Sequence, residues 1–480
     1  MKVLFLPLDS RPCNRIFPVQ LAAWSGAECV TPPPEIMDYY TTPSDSGAVI
    51  QFLKDHMAEA DALILSVDQL CFGGLLASRE MDVSISDAID RLKAIQELHA
   101  AYPDKPIHAF SVIQRSSIST LSLSDISVYQ AVTAYSEYSD RYSVTQLEQD
   151  RLRMEQARKS IPDEVLRRVQ EVRRRNHRVN LRCLEWQKEG VFTSLLLLME
   201  DSQAYGFHRK EQRILTQRME GIREAYLHNG TDEGGCVTMA KALTKKRIPI
   251  SVHWAGRPDG LFVAKYEDRP FIQNLQDNMD YLNLQEAEDA EIALVIAAPS
   301  NGIQGDGHEE DYQMPPETLS ETVSAVQKQI REGKRVYLLD LICANGGVPD
   351  LLSGVDAGKL AGYSAWNTAS NSMGTILAQI ISDDIAGKPN IRFRNERFMD
   401  DMLYETIIRL SLNAELRAGG LDPYRLADKA ETEKRINEAY RSLSEKPRFA
   451  GIFRAIREAG DSRLTLPWDR TFEAQAHNGD

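Results

Sequence analysis

Residues 193–201 read TSLLLLMED, a run of five consecutive apolar residues that ends abruptly in two carboxylates. The run does not alternate between apolar and polar positions, which is typical of a parallel β-strand covered on both faces. Similar short apolar runs recur along the chain, and most of them end in polar or glycine-rich segments; they lie at residues 3–8, 62–67, 107–113, 224–227, 248–254, 292–298 and 336–339. Segments with apolar residues at helical spacing lie between most of these runs.

Eight strands alternating with helices predict an α/β fold of the (β/α)8 TIM-like barrel type. A doubly wound open sheet is the structural alternative, because it produces a similar pattern. Residues 116–190 are rich in Glu, Arg, Gln and Ser at helical spacing, which predicts a helical insertion after the third strand. The predicted organisation is therefore a barrel domain over residues 1–380 that contains this insertion, followed by a C-terminal helical extension over residues 381–480.

The composition of the chain indicates which classes of binding partner can be excluded. The chain has 480 residues and a net charge of -14, which argues against nucleic acid because phosphate binding requires concentrated Lys and Arg. Apolar runs fall short of the roughly 18 residues needed to cross a membrane, and the N-terminus lacks the pattern of a signal peptide. The six cysteines are scattered without a CxxC pair, which favours reduced thiols in a cytoplasmic protein. A homo-oligomer is compatible with these features.

Polar residues follow the predicted strands, and in a barrel the active site lies at the C-terminal ends of the strands. Ordinary polar turns after strands explain part of these residues. Acidic residues, however, follow five of the eight predicted strands, and crowded carboxylates cost free energy unless they are paired or take part in function. The predicted substrate-binding residues are Asp9, Arg11, Asn14, Asp68, Arg79, Arg115, Asp340, Asn345, Tyr363, Trp366 and Asn367.

The segment TDEGG, residues 231–235, places two adjacent carboxylates at the end of the fifth predicted strand. There Glu233 could act as a general acid, with its pKa raised by Asp232 and by Asp201 on the neighbouring strand. Such a set of carboxylates is what glycosidic cleavage requires. The predicted catalytic residues are therefore Glu233, Asp232 and Asp201. Alternatively, Asp232 and Glu233 belong to an ordinary solvated turn, and Asp201 is the N-cap of a helix.

The segment GYSAWNTASNSMGTILAQII, residues 362–381, combines Trp366 and Asn367 ahead of a long apolar helix. An aromatic face can stack on the C–H face of a pyranose while an amide binds its hydroxyls. The alternative is a core tryptophan with an asparagine that caps the helix. We predict no metal site and no cofactor, since the sequence lacks HxH and HExxH spacings and the glycine-rich nucleotide motifs.

Several segments resemble the motif series of a bacterial family, domain-of-unknown-function family 4127, over about residues 1–400; they are LPLDSRPCN, SVDQLCFGGLLASR, RRRNHRVN, HNGTDEGG, LDLICANGG and GYSAWNTASNSMGT. This resemblance implies no activity. The Asp-Glu pair is also distantly similar to the acid pair of β-N-acetylhexosaminidases, which are barrel enzymes. That similarity implies that Glu233 protonates the leaving group and that Asp232 steadies the acetamido nucleophile of the substrate.

These features predict an enzyme that acts on a small-molecule carbohydrate, most simply a glycoside hydrolase that cleaves small oligosaccharides. A metal-dependent isomerase or lyase acting on a sugar or sugar acid is one alternative, because it would use the same acid-rich edge. A non-enzymatic sugar-binding protein is the other. The isomerase or lyase would contain a stoichiometric divalent metal, unlike the hydrolase. The sugar-binding protein would leave its ligand chemically intact.

Overall fold

The computed structural model describes residues 1–257, 260–307 and 309–479. The chain divides into two compact units. The first unit comprises Met1–Ala242 together with Tyr266–Asp268, and the second comprises Leu243–Lys265 together with Arg269–Asp480. This division falls inside the region 1–380 that the sequence predicts to be one domain.

The first unit is built on a parallel sheet of six strands in the order β2-β1-β3-β4-β5-β6. The strands are β1 (Lys2–Leu6), β2 (Glu28–Val30), β3 (Ala62–Ser66), β4 (Ile107–Ile113), β5 (Ser194–Met199) and β6 (Ala225–Asn229). The helices are α1 (Pro12–Trp24), α2 (Ser46–Met57), α3 (Val67–Phe72), α4 (Ile85–Ala101), α5 (Ile126–Thr145), α6 (Glu148–Lys159), α7 (Asp163–Glu189), α8 (Phe207–Met219) and α9 (Gly234–Leu243).

The second unit contains a parallel sheet of five strands in the order β11-β10-β9-β7-β8 and a two-stranded antiparallel sheet, β12-β13. Its strands are β7 (Ile248–Ala255), β8 (Leu284–Glu286), β9 (Ile292–Ala297), β10 (Arg335–Asp340), β11 (Leu360–Ser364), β12 (Ser462–Thr465) and β13 (Gln475–Asn478). Its helices are α10 (Phe271–Tyr281), α11 (Pro316–Arg331), α12 (Pro349–Gly354), α13 (Ala369–Ala386), α14 (Ile391–Arg397), a π-helix (Phe398–Ile408), α15 (Arg409–Ala418), α16 (Lys429–Ser444) and α17 (Ala450–Glu458).

The fold is therefore mixed α/β with parallel sheets, as predicted, but the described residues do not show the closed eight-stranded barrel. Five of the eight predicted strands pair in the first sheet and three in the second. Alternation of strand and helix fixes only the local order of elements, whereas strand pairing depends on contacts distant in sequence. The open-sheet alternative accounts better for the observed pairing.

The two parallel sheets share one strand order. In each, the second strand pairs outside the first and the third strand pairs on its other side, so the order reverses between β1 and β3 and between β7 and β9. The carboxyl ends of the strands at such a reversal form the edge where open α/β sheets bind ligands.

The predicted insertion is helical and consists of α5, α6 and α7. Val132, Ile161 and Val169 belong to a small apolar cluster to which α5, α7 and the segment between α6 and α7 contribute. The C-terminal half of α7 instead contributes Val179 and Cys183 to the main core of the first sheet. The insertion therefore includes the crossover helix between β4 and β5.

The predicted C-terminal region is largely helical but not separate from the second sheet. Helix α13 runs across the predicted boundary at residue 380, and the hairpin β12-β13 follows α17. One apolar core joins side chains of β9 and β10 to those of the π-helix, α16 and α17. Within the described residues, every helix is too short or too polar to cross a membrane.

Candidate functional site

The strongest cluster of predicted residues lies where β1 ends in the first unit. Four hydrogen bonds run from the Arg11 guanidinium to the carboxylates of Asp9 and Asp232, at 2.6 to 3.0 Å. Asn14 Nδ2 donates to Asp9 Oδ1 at 2.9 Å and to Asp232 Oδ1 at 3.2 Å. All four side chains are buried. The loop after β1 and the loop after β6 are therefore joined by one ionic network.

Glu233 lies beside this network with a side chain that is almost entirely buried, since the residue is 1% exposed. Burial raises the pKa of the Glu233 carboxyl to about 8, although the backbone N–H groups of Glu233 and Thr231 oppose this shift by donating to it. The Thr231 N–H donates to Glu233 Oε2 at 2.9 Å. The carboxyl also lies against Gly230, whose φ of +108° and lack of a Cβ leave room for it. Glu233 is therefore largely protonated at neutral pH.

Asn229 precedes these residues at the end of β6 and was not predicted from the sequence. It is fully buried, and neither Oδ1 nor Nδ2 has a hydrogen-bond partner among the described residues. A buried amide normally has both its donor and its acceptor satisfied, so an unpartnered one indicates a group that is absent from the structure. The sequence places it two residues after an apolar run, which does not by itself set it apart from the other polar residues that follow strands.

The end of β5 carries two ion pairs. Arg79 Nη2 donates to Glu200, while Arg115 Nη1 donates to Asp201 Oδ2 at 3.0 Å. The Asp201 side chain keeps 27% of its surface exposed, in contrast to the buried Asp232. Glu200, which the sequence analysis passed over in favour of Asp201, also accepts from the Arg115 backbone N–H at 3.1 Å.

Two further buried carboxyls lie after β2 and β3. Asp68, at the start of α3, accepts from the Val112 N–H at 2.8 Å, and burial raises the pKa of its carboxyl to about 7. Asp38 was not predicted, and burial together with the negative charge of Asp9 raises the pKa of its carboxyl well above the ordinary value. The carboxyl edge of the first sheet thus holds several carboxyls that favour the protonated form.

In the second unit, Asp340 ends β10 and stabilises the following loop. Its carboxylate accepts from the Val348 N–H at 2.7 Å and from the Ile342 N–H at 3.3 Å, with Tyr363 Oη at 3.5 Å. Burial raises the pKa of Asp340 to about 6, and these hydrogen bonds oppose the shift. Asp340 and Tyr363 are both buried.

Trp366, Asn367 and Asn345 lie together after β10 and β11 of the second unit. The Asn345 N–H donates to the Asn367 carbonyl at 2.7 Å, and the Trp366–Asn367 peptide is cis. The Trp366 indole is 6% exposed, with its ring centroid 6.1 Å from that of Phe472. The indole therefore packs inside the unit, while Asn345 and Asn367 stay partly exposed.

A group of charged side chains on the π-helix was missed, because its sequence predicted only a C-terminal helical extension. Asp401 accepts from the Ala365 N–H at 2.9 Å and from Arg397 at 2.8 Å. Arg397 also pairs with Asp400, and Arg409 pairs with Glu405 at 2.6 Å. Burial raises the pKa of Asp400 to about 7. π-helices are frequent at functional sites. Amino-acid composition does not distinguish a π-helix from an α-helix, so this one could not be predicted.

The described residues contain no group of three His, Cys, Asp or Glu side chains that could hold a metal ion. Of the predicted site residues, the first unit contains Asp9, Arg11, Asn14, Asp68, Arg79, Arg115, Asp201, Asp232 and Glu233. The second unit contains Asp340, Asn345, Tyr363, Trp366 and Asn367. Direct hydrogen bonds join Asp9, Arg11, Asn14 and Asp232, and also Arg115 with Asp201, in the first unit. In the second unit they join Asp340 with Tyr363 and Asn345 with Asn367.

A model of the family described as "Protein of unknown function (DUF4127)" matches residues 3–477. The chain belongs to the DUF4127 family. The family predicted from the sequence motifs is thereby confirmed, and the match extends beyond residue 400 to nearly the whole chain.

Other comparisons add little to the DUF4127 assignment. No curated protein matches this DUF4127 chain. Among solved structures, a glucose-galactose binding protein, GanP, from Geobacillus stearothermophilus aligns with 81% of this chain and 91% of its own at 9% identity. The TM-score of 0.18 is too low for this likeness to carry any argument. The predicted similarity to β-N-acetylhexosaminidases is not confirmed.

Proposed function

We propose that this DUF4127 protein is a carbohydrate-active enzyme, a glycoside hydrolase in which Glu233 is the general acid. The observation that carries the proposal is the pairing of a buried, largely protonated Glu233 with an Asp232 that is ion-paired to Arg11. Neighbouring carboxyls in different environments are the usual basis for assigning different roles to them. Their position at the carboxyl edge of a parallel sheet is where ligands of open α/β proteins bind.

Each carboxyl has a role that follows from its contacts. Glu233 donates its proton to the glycosidic oxygen as the bond to the anomeric carbon breaks. Asp201 retains solvent exposure, so it is the partner that activates water or attacks the anomeric carbon. Asp232 is held by Arg11 and Asn14 and positions the β6 loop that carries Glu233.

The substrate class follows from unsatisfied hydrogen-bonding groups. The Asn229 amide offers one acceptor and one donor group without partners among the described residues. A sugar hydroxyl both donates and accepts, so neighbouring hydroxyls would satisfy both ends of this amide. Binding without chemistry is distinguished from hydrolysis by the following experiment.

The test compares wild type with Glu233→Gln on aryl glycosides whose leaving groups differ in acidity. We expect a loss of about 10²–10⁴ in turnover on poor leaving groups and a much smaller loss on activated ones, which need no proton. Exposed Glu220→Gln is the matched control and should retain wild-type turnover. Equal turnover of Glu233→Gln and wild type on poor leaving groups would refute the assignment. A sugar that binds wild type and remains intact would favour the binding protein instead.

A further inference from the structure

The second unit contains an unusual pair of buried polar atoms. The Trp366 indole N–H and Asn345 Oδ1 have no hydrogen-bond partner among the described residues. A buried tryptophan N–H usually finds an acceptor, since leaving it unpaired costs about 1–3 kcal/mol. Unlike an amide, the indole cannot be reoriented to exchange donor for acceptor. A missing partner group is therefore indicated next to Trp366.

The two atoms belong to loops that are fixed to each other. The Asn345 N–H donates to the Asn367 carbonyl at 2.7 Å, which joins the loop after β10 to the loop after β11. Asp401 holds the second loop through the N–H groups of Ala365 and Trp366, at 2.9 and 3.3 Å. The donor and the acceptor are thus presented by a preorganised pair of loops at the carboxyl edge of the sheet.

The backbone conformation of Asn345 is one that few side chains adopt. Asn345 has φ +62°, a left-handed conformation in which glycine is the least strained residue. Its carbonyl accepts from Tyr312 Oη at 2.9 Å, which fixes the residue in place. A partly exposed residue in this conformation with an unpaired Oδ1 is therefore used for its side chain rather than for its backbone alone.

The charges around these loops define the ligand chemistry. Asp340, Asp400, Asp401 and Glu405 are buried near the ends of β10 and β11, with Arg397 and Arg409 as their basic partners. The guanidiniums of Arg397 and Arg409 are already engaged by these acids, so they offer little to an anionic ligand. Asp340, Asp400 and Asp401 already accept backbone or guanidinium hydrogen bonds, and Glu405 is ion-paired with Arg409, so these acids offer little to an ammonium group. A neutral group that donates and accepts is the best match.

We propose that this edge of the second sheet binds a neutral polyhydroxylated ligand, whose hydroxyls accept from the Trp366 indole N–H and donate to Asn345 Oδ1. The residues of this site belong to the second unit, whereas Glu233 belongs to the first. The site is defined by binding, so it stands or falls independently of hydrolysis.

The experiment measures ligand-induced thermal stabilisation and then Kd by calorimetry on the full chain, with neutral hexoses, hexose phosphates and hexosamines as probes. We expect a neutral hexose to bind, and Trp366→Phe to weaken its Kd about tenfold through loss of one hydrogen bond. Asn345→Gly removes Oδ1 but suits φ +62°, so it should fold normally and weaken binding similarly. Trp186→Phe, in the core of the first unit, is the matched control and should bind as wild type does.

Three results would overturn the proposal. The first is the absence of stabilisation by any neutral hexose, and the second is tighter binding of hexose phosphates or hexosamines. The third is an unchanged hexose Kd in folded Asn345→Gly, which would indicate that water alone satisfies these atoms. Hydrolysis is read out by Glu233→Gln turnover and this site by the hexose Kd of Asn345→Gly, so a failure of the proposed hydrolysis is distinguishable from a failure of this site.

Discussion

Replacing Arg11 with Met should strongly destabilise the first unit. Arg11 donates four hydrogen bonds to Asp9 and Asp232, and the two carboxylate side chains are only 1% and 7% exposed. Removing one partner of a buried ion pair costs about 3–5 kcal/mol, because the remaining charge loses its compensation. Here two carboxylates lose it, so we expect the upper part of that range.

The assay is urea unfolding followed by far-UV circular dichroism. With a slope of about 1–3 kcal/mol per molar urea, this loss lowers the unfolding midpoint of the first unit by more than about 1 M. Adding Asp232→Asn removes one of the stranded charges and should restore about 1–2 kcal/mol in the double variant.

Arg151→Met is the matched control, since exposed Arg151 pairs with Glu148 and Glu155 on the surface of α6. It should unfold at the wild-type urea concentration, because exposed ion pairs contribute little. The reasoning is refuted if Arg11→Met also unfolds at the wild-type midpoint, or if Asp232→Asn makes the Arg11→Met protein less stable.

Other predictions concern Glu233 and its surroundings. The pKa of Glu233 in the folded protein, about 8, exceeds its ordinary value of 4.5. Between these two pH values the folded protein therefore binds a proton that the unfolded chain has lost. The free energy of unfolding should fall as pH rises through this window. Glu233→Gln should remove this part of the pH dependence in urea titrations from pH 5 to pH 8; an unchanged slope would contradict the shift. Gly230→Ala would place a Cβ 1.7 Å from Glu233 Oε1, so it should lower the thermal midpoint more than Gly221→Ala, which has positive φ but open space. Equal midpoints for the two alanine variants would show that the carboxyl moves freely.

The sequence predicted the long buried strands because their continuous apolar runs need no distant partner to be recognised. Strands β2 and β8 have three residues each, too few for a pattern, and β11 reads LAGYS, in which glycine and serine obscure the strand. The choice between a barrel and open sheets depended on which strands pair, and adjacent elements carry no information about that pairing.

For the candidate site, the rule that polar residues after parallel strands gather at one edge holds in open sheets as it does in barrels. It therefore predicted Asp9, Arg11 and Asp232, although the barrel itself is not observed. Asn229 and Asp401 could not be predicted in this way. Asn229 is distinguished only by lacking a partner, and Asp401 acts through a π-helix that holds it against the end of β11.

The return of Tyr266–Asp268 to the first unit has a consequence for synthesis of the chain. Asp268 pairs with Arg209 on α8, and the Tyr266 carbonyl accepts from Ser202 Oγ at 3.4 Å. A nascent polypeptide that has reached only Ala242 therefore still lacks part of this unit. Its last contacts can form only after β7 has left the ribosome, so a fragment cut at the boundary would be incomplete.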